Sequence, residues 1–360
     1  MVRPPAMDRS ITIAVDAMGG DNAPRAVVEA AAQLTIDLPQ LQILLVGDAT
    51  QVSDHLRGMR HDAERIFVHH TSSYVSMEDN PQVALQEKPD SSIAVAAQLV
   101  ARGDAEALVS AGNTGASVLA CVRALRRIPG VRRAALAAVY PTELRRGEKD
   151  DPFSLLLDVG ATLEVSAEDL VSFALMGAAY AARISKNPRP RVALLSNGAE
   201  AGKGPAEVVR AHQLLRDKTE LNFVGNVEGV DIPRGTADVI VCSGFVGNVV
   251  LKMLEGVSET VMRLAHYAYK ERLVWRAGLY MLSGGIARLK EITDWEQYGG
   301  APFLGLDRVF IKAHGRSQTR AISNAIRVAA KAAAANLPAE IELALAAFEQ
   351  RRVADPTTAR

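Results

Sequence analysis

The chain has only two cysteines in 360 residues, Cys121 and Cys242, with neither CxxC spacing nor clustered histidines around them, so no zinc site and no disulfide framework is expected and a reducing compartment is read. Aromatics are scarce at 5%. No apolar run approaches the ~18 residues of a spanning helix, and any contact with a bilayer is therefore expected to be peripheral. Net charge is absent too: Lys plus Arg and Asp plus Glu each total 41, which leaves no long-range field for a polyanion and sets nucleic acid aside as a main partner. Residues 1–10 are polar and contain proline without the apolar stretch of a secretory signal, and a cytoplasmic location is expected.

What is present is apolar material, 48% of residues, and 27 glycines. Short Val/Ile/Leu-rich runs alternate with longer Ala-rich amphipathic stretches, the pattern of parallel strands crossed by helices, so a three-layer α/β/α architecture is expected. Strands are predicted at 11–15, 42–46, 65–69, 105–109, 134–139, 154–157, 191–195, 221–224, 237–241 and 308–311. Helices are predicted at 24–36, 91–102, 114–127, 167–184, 205–216, 319–335 and 339–351. No repeat or low-complexity linker divides the chain, and residues 8–352 read as one interwoven unit. Residues 257–296 are helical in pattern, follow no predicted strand and read as a protruding insertion; 353–360 read as a disordered tail.

Strand after strand ends in a glycine-bearing turn: Asp16-Ala-Met-Gly19-Gly20, Ser110-Ala-Gly112-Asn113-Thr114-Gly115, Asp158-Val-Gly, Ser196 through Gly204, Asn226-Val-Glu-Gly, Ser243-Gly244, and His314-Gly-Arg316-Ser. In an open parallel sheet such turns share one rim, where glycines admit a ligand to backbone amides and helix starts favour negative charge. An anion is the expected guest. The 197–204 segment resembles a P-loop but has Asn197 at its first glycine position and Gly204 where the hydroxyl would sit, so nucleotide hydrolysis is not expected. A strand-linked GxGxxG and a GxSxG elbow are likewise missing.

The segments IAVDAMGGDNAP, VSAGNTGA, LLLDVGA, LLSNGAEAGKG, NFVGNVEGVDI, VCSGFVGNVVLK, GGAPFLGLD and AHGRS, in that order, resemble the PlsX phosphate acyltransferases from about Ile11 to Ala330. The resemblance implies a fold like the isocitrate and isopropylmalate dehydrogenases, a homodimer, and conversion of acyl-acyl carrier protein plus phosphate to acyl phosphate. That product would feed a membrane glycerol phosphate acyltransferase and so phosphatidic acid. The chain departs from the family pattern at Gln86-Glu87-Lys88, where a more basic run is usual, and at Ala199 and Ser243, where acids are common.

Phosphate can attack a thioester directly, because it is already anionic and a thiol of pKa ~8.5 leaves readily. Ser110, Asn113, Thr114 and the amides of Gly112 and Gly115 are expected to cradle it, with Lys203 and His314 as further donors. Asp158 is expected to orient Lys203 or a water, and Asn226 and Asn248 to donate to the acyl carbonyl. Gly19, Gly20, Lys88, Gly198, Gly204, Ser243, Gly244 and Arg316 complete the expected substrate-binding set. Asp16 either bonds turn amides, the commoner use, or binds a metal; Asn113 and Thr114 also suit a helix cap. No cofactor or metal is expected.

The apolar stretch Leu273 to Leu282, with Trp275, Leu279 and Tyr280, is flanked by Lys270, Arg272, Arg288 and Lys290, a composition that suits either an anionic bilayer surface or a dimer interface. The resemblance favours the membrane. Rival readings are a phosphotransacetylase-like enzyme using acyl-CoA, a non-catalytic phospho-ligand protein that docks on membranes, and a dehydrogenase of similar fold.

Overall fold

The computed structural model describes residues 10–143, 153–271, 274–275, 278, 281–282, 284 and 299–354. Eleven strands are described: β1 Ile11–Asp16, β2 Leu41–Gly47, β3 Ile66–His70, β4 Ala107–Ser110, β5 Ala135–Pro141, β6 Phe153–Leu157, β7 Arg191–Leu195, β8 Asn222–Val227, β9 Val239–Val241, β10 Ala301–Leu304 and β11 Val309–Lys312. The helices are α1 Arg25–Asp37, α2 Ala49–Leu56, α3 Pro81–Glu87, α4 Ser92–Arg102, α5 Thr114–Ala124, α6 Ala167–Ile184, α7 Ala206–Lys218, α8 Asp231–Arg234, α9 Gly244–Glu271, α10 Thr319–Ala334 and α11 Leu337–Ala354.

All eleven strands form one sheet in the order β3-β2-β1-β4-β11-β10-β5-β6-β9-β7-β8. Neighbouring residues of a strand point to opposite faces, so unbroken apolar runs feed two cores at once. Ile13, Val15, Leu155 and Leu157 pack on one face with α1, α6, α10 and α11, while Ala14, Leu108 and Leu156 face α4, α5, α8 and α9 on the other. Helices therefore cover both faces, as the composition implies. Their starts are set locally: Asp48, Asn80 and Asn113 cap α2, α3 and α5, and Ser166 with Asp169 forms a reciprocal capping box on α6.

The sheet is not the parallel one expected. β10 runs antiparallel to both β11 and β5, and β5 antiparallel to β6. Two reversals followed by a third leave β6, β7, β8 and β9 pointing opposite to β1, β4 and β11. The glycine turns thus divide between two rims of the sheet instead of sharing one. β10 escapes a pattern-based reading because it is four residues long and contains Pro302, which lacks a ladder donor.

The segment from Val257 does follow a strand. It is the middle of α9, a 28-residue helix that starts at Gly244 directly behind β9. Val353 and Ala354, expected in a disordered tail, complete the last turn of α11, and 355–360 lie outside the described residues. Arg272, Leu273, Leu279, Tyr280, Arg288 and Lys290 also lie outside them; Trp275 and Leu282 are described and are 41% and 63% exposed.

Candidate functional site

At the first rim the turns after β1, β4 and β11 touch. Gly20 has φ +103°, and a side chain there would meet Ala111 Cβ at 3.0 Å and Gly315 O at 3.1 Å. The Asp21 amide donates to Gly315 O at 2.9 Å. A Cβ on Gly19 would lie 2.4 Å from Asp16 Oδ2 and 2.7 Å from Gly112 N, so only glycine lets the first two turns meet.

Beneath them lies a buried polar network. Asp16 is 2% exposed; its Oδ2 accepts from Ser110 Oγ at 2.7 Å, and the Gly112 amide donates to Ser110 Oγ at 3.0 Å. Burial raises the Asp16 carboxyl above its ordinary range, opposed by hydrogen bonds from Ser92 and Ser110 and by the charge of Lys312. Lys312, the last residue of β11, is also buried and donates to Ala313 O. Burial brings its ammonium down to about 8 against the pull of Asp16 and Asp21.

Above the turns stand basic groups together with two carboxylates, Glu255, which pairs with Lys252 Nζ at 2.7 Å, and Glu259. His314 is half-buried, and burial followed by the charges of Arg316, Lys252 and Lys312 lowers its imidazole, which is therefore neutral at pH 7. Lys252 arrives on α9, which begins at the second rim and is roughly 42 Å long at ~1.5 Å per residue. It carries Glu259 to within 3.9 Å of Arg316. The amides of Thr114 and Gly115, at the open start of α5, have no hydrogen-bond partner among the described residues, and Thr114 is exposed. Open amides, a neutral imidazole, Arg316 and Lys252 above the turns, and buried Lys312 beneath them, can hold a small polyanion.

Several expected ligands are engaged within the fold. Asn113 Oδ1 accepts from Ala116 N at 3.1 Å while its Nδ2 donates to the carbonyls of Met77 and Asp79 at 3.2 and 3.0 Å, so the capping reading holds for it. Gly115 is needed for packing, since a Cβ would lie 2.5 Å from Pro81 Cγ. Lys88 pairs with Asp79 at 2.8 Å. We expect Asn113→Ala to lower stability by about 1 kcal/mol or more, as cap removal does, with the phosphate KM little changed. A raised KM at unchanged melting temperature would restore Asn113 as a ligand.

The second rim gathers Asp158, Ser243, Gly244 and Asn248, with Gly198, Lys203 and Gly204 in the turn after neighbouring β7 and Asn226 near the end of β8. Asp158 is fully buried: Oδ1 accepts from the amides of Leu136, Gly160 and Ala161 at 2.9, 3.2 and 3.0 Å, and Oδ2 from Thr162 N and Oγ1 at 2.7 and 2.9 Å. Burial raises this carboxyl while those donors pull against it. With both oxygens committed to its own loop, Asp158 does not orient Lys203. Asn226 likewise binds His212 Nδ1 at 3.1 Å and Glu200 O at 2.9 Å. The start of α9 is pressed onto the Asp158 loop: a Cβ on Gly244 would lie 2.4 Å from Thr162 O, and Asn248 overlies Gly160. Lys203 is exposed over Gly198, and β7 lies six strand positions from β4, roughly 29 Å at ~4.8 Å per strand. Within one chain it cannot reach a ligand at Ser110.

A family described as fatty acid synthesis protein matches residues 11–340. A phosphate acyltransferase of Moorella thermoacetica is 43% identical over 319 residues, which cover 89% of this chain and 91% of that one. The chain belongs to the phosphate acyltransferase family. A phosphate acyltransferase of Myxococcus xanthus is 42% identical over 331 residues, covering 91% and 92% of the two chains. Phosphate acyltransferases transfer an acyl group to phosphate, and this enzyme is one of them. Among solved structures, a phosphotransacetylase from Streptococcus pyogenes superposes with a TM-score of 0.60 at 16% identity, covering 90% of this chain and 94% of that one, a likeness of fold.

The phosphate acyltransferase carries first-rim groups that sequence reasoning missed. Lys312 closes the run VFIK and was legible as a charge at the end of an apolar strand, just before His314. Lys252 was not legible, because only the direction of α9 brings it from one rim to the other. Among the described residues no group of His, Cys, Asp and Glu could hold a metal ion, and no helix is long and apolar enough to cross a membrane.

Proposed function

We propose that this phosphate acyltransferase moves a fatty acyl group from acyl carrier protein to inorganic phosphate, and that phosphate binds at the first rim. The observation that supports this site is the contact of three glycine turns above buried Asp16 and Lys312, faced by His314, Arg316 and Lys252. Phosphate would sit against the open amides of Thr114 and Gly115, and the cations would hold its charge while an oxygen attacks the thioester carbon. The new C–O bond forms as the C–S bond breaks and the thiolate leaves. A well-aimed donor in such a site is worth ~2.7–4 kcal/mol of barrier. The second-rim residues Asn248, Ser243 and Lys203 then serve the acyl or carrier side, or the anchoring of α9.

The acyl phosphate would supply a downstream glycerol phosphate acyltransferase and phospholipid synthesis. The chain would act as one interwoven unit of isocitrate dehydrogenase-like type, as a homodimer, cytoplasmic and peripheral to the inner face of the membrane. Phe245, Val249, Met253, Val257, Val261 and Leu264 give α9 an exposed apolar stripe that supports pairing with a second copy. Exposed Trp275 and Leu282 near Lys270 support membrane contact. Wild type is expected to float with anionic vesicles and a Trp275→Glu, Leu282→Glu variant to sediment; equal flotation removes the membrane part.

The reaction is tested by trapping acyl phosphate with hydroxylamine from palmitoyl carrier protein and phosphate. Phosphate-dependent hydroxamate is expected. Hydroxamate formed from palmitoyl-CoA but not from the carrier protein would favour the phosphotransacetylase-like reading, to which the likeness of fold lends support.

A further inference from the structure

The last turn of α5 and the connection from it to β5 hold five arginines within eleven residues, Arg123, Arg126, Arg127, Arg132 and Arg133, all exposed, in a chain whose net charge is zero. Nothing in the reaction uses them. Arg127 donates to Arg132 O, Arg132 Nη1 reaches Ser166 Oγ at 3.4 Å, and Arg133 lies 3.6 Å from Asp169. The guanidinium groups of Arg123 and Arg126 have no partner among the described residues. Exposed apolar residues lie next to them: Val122, 48% exposed, precedes Arg123 on α5, and Leu163, 77% exposed, stands three residues before the Ser166 that Arg132 reaches.

The position of the patch relative to the first rim is fixed by one helix. Thr114 opens α5 at the rim and Arg123 is nine residues further along it, about 14 Å at ~1.5 Å per residue. Between them Val118 and Leu119 are partly exposed on the same helix. A phosphopantetheine arm has as many chain atoms as five extended residues and spans roughly 17 Å. A carrier seated on the arginines could therefore place its thioester at Thr114.

We propose that Arg123 and Arg126, with their neighbouring arginines, form the docking surface for an acidic carrier protein whose arm runs along α5 to the first rim. This rests on the carrier reading given under the proposed function. Opposite charge steers the encounter and fixes the register of the two proteins, and exposed Val122 beside Arg123 supplies apolar contact.

The test compares wild type with Arg123→Glu, Arg126→Glu on two thioesters, palmitoyl carrier protein and the uncharged palmitoyl-N-acetylcysteamine, which has no carrier. The variant is expected to raise the KM for the carrier protein about tenfold or more and to lose its dependence on salt, with turnover of the small thioester and the phosphate KM unchanged. Arg123→Lys, Arg126→Lys should stay near wild type, and Arg123→Gln, Arg126→Gln should show a smaller rise, so that a folding defect in the glutamate pair cannot decide the matter. An unchanged carrier KM in both the glutamate and glutamine pairs overturns the proposal, as does an equal loss on both thioesters. An unchanged carrier KM with weakened binding to anionic vesicles would assign the patch to lipid instead. Wild type that uses the small thioester but not the carrier protein would sink the carrier reading itself, whatever the variants do.

Discussion

Gly247→Ala is expected to destabilise the enzyme by about 3 kcal/mol or more, although alanine is the better helix former by ~1 kcal/mol. A Cβ at this position would lie 1.9 Å from Asp158 O, 2.9 Å from Cys242 Sγ and 3.0 Å from Asp158 C. Two of these are backbone atoms of a loop whose carboxylate is tied by five hydrogen bonds, so neither side can yield cheaply. The first turn of α9 would have to lift off the loop, breaking the bond from Gly244 N to Thr162 Oγ1 at 3.1 Å and swinging Lys252 away from the first rim. Gly256 provides the internal control. It lies on the same helix, exposed and with nothing within 4 Å of a Cβ, so Gly256→Ala should stabilise by up to ~1 kcal/mol. Urea unfolding of both variants checks the pair; equal signs would mean that α9 is not seated on the Asp158 loop.

Lys312 carries the second large effect, read as a dependence on pH. Its ammonium titrates at about 8 in the folded enzyme against 10.5 for free lysine. Between these values the unfolded chain binds more protons than the folded one, so stability rises with pH across that window. The gap corresponds to roughly 3 kcal/mol, since each tenfold change in proton affinity is ~1.4 kcal/mol. In Lys312→Met the increment is gone. Wild type should accordingly gain up to about 3 kcal/mol on the variant between pH 8 and 10.5, in unfolding free energies measured side by side so that other groups cancel. A constant difference across the window would show that the lysine is not buried as described. Phosphate-dependent turnover should fall in the variant at pH 7, where the buried cation under the turns is lost.

Much of this was legible in the residues, for reasons that also mark where legibility ends. Strand-length apolar runs such as Ile11–Val15 and Arg191–Leu195 located strands because a strand covered on both faces has no polar alternation. That Gly19, Gly20 and Gly112 sit where turns come close was legible, since close backbone approach needs glycine wherever it occurs. Strand direction is another matter. It is set by which edges meet, and β10, with Pro302 inside four residues, is too short to announce itself. Once β10 and β5 reverse the sheet, a turn on β4 and a turn on β7 with like sequences lie at opposite rims. The same limit explains Asn113 and Asp158: residue type identifies a polar group at a strand end, and only coordinates reveal whether the backbone has already used its atoms.

Phosphate binding at the first rim is the claim on which the account of the site depends, and titration calorimetry with inorganic phosphate tests it without any thioester. His314→Ala, Arg316→Ala is predicted to weaken phosphate about tenfold or more while Lys203→Ala binds it as wild type does. Weakened binding in Lys203→Ala with the double variant unaffected would place phosphate at the second rim and contradict the account.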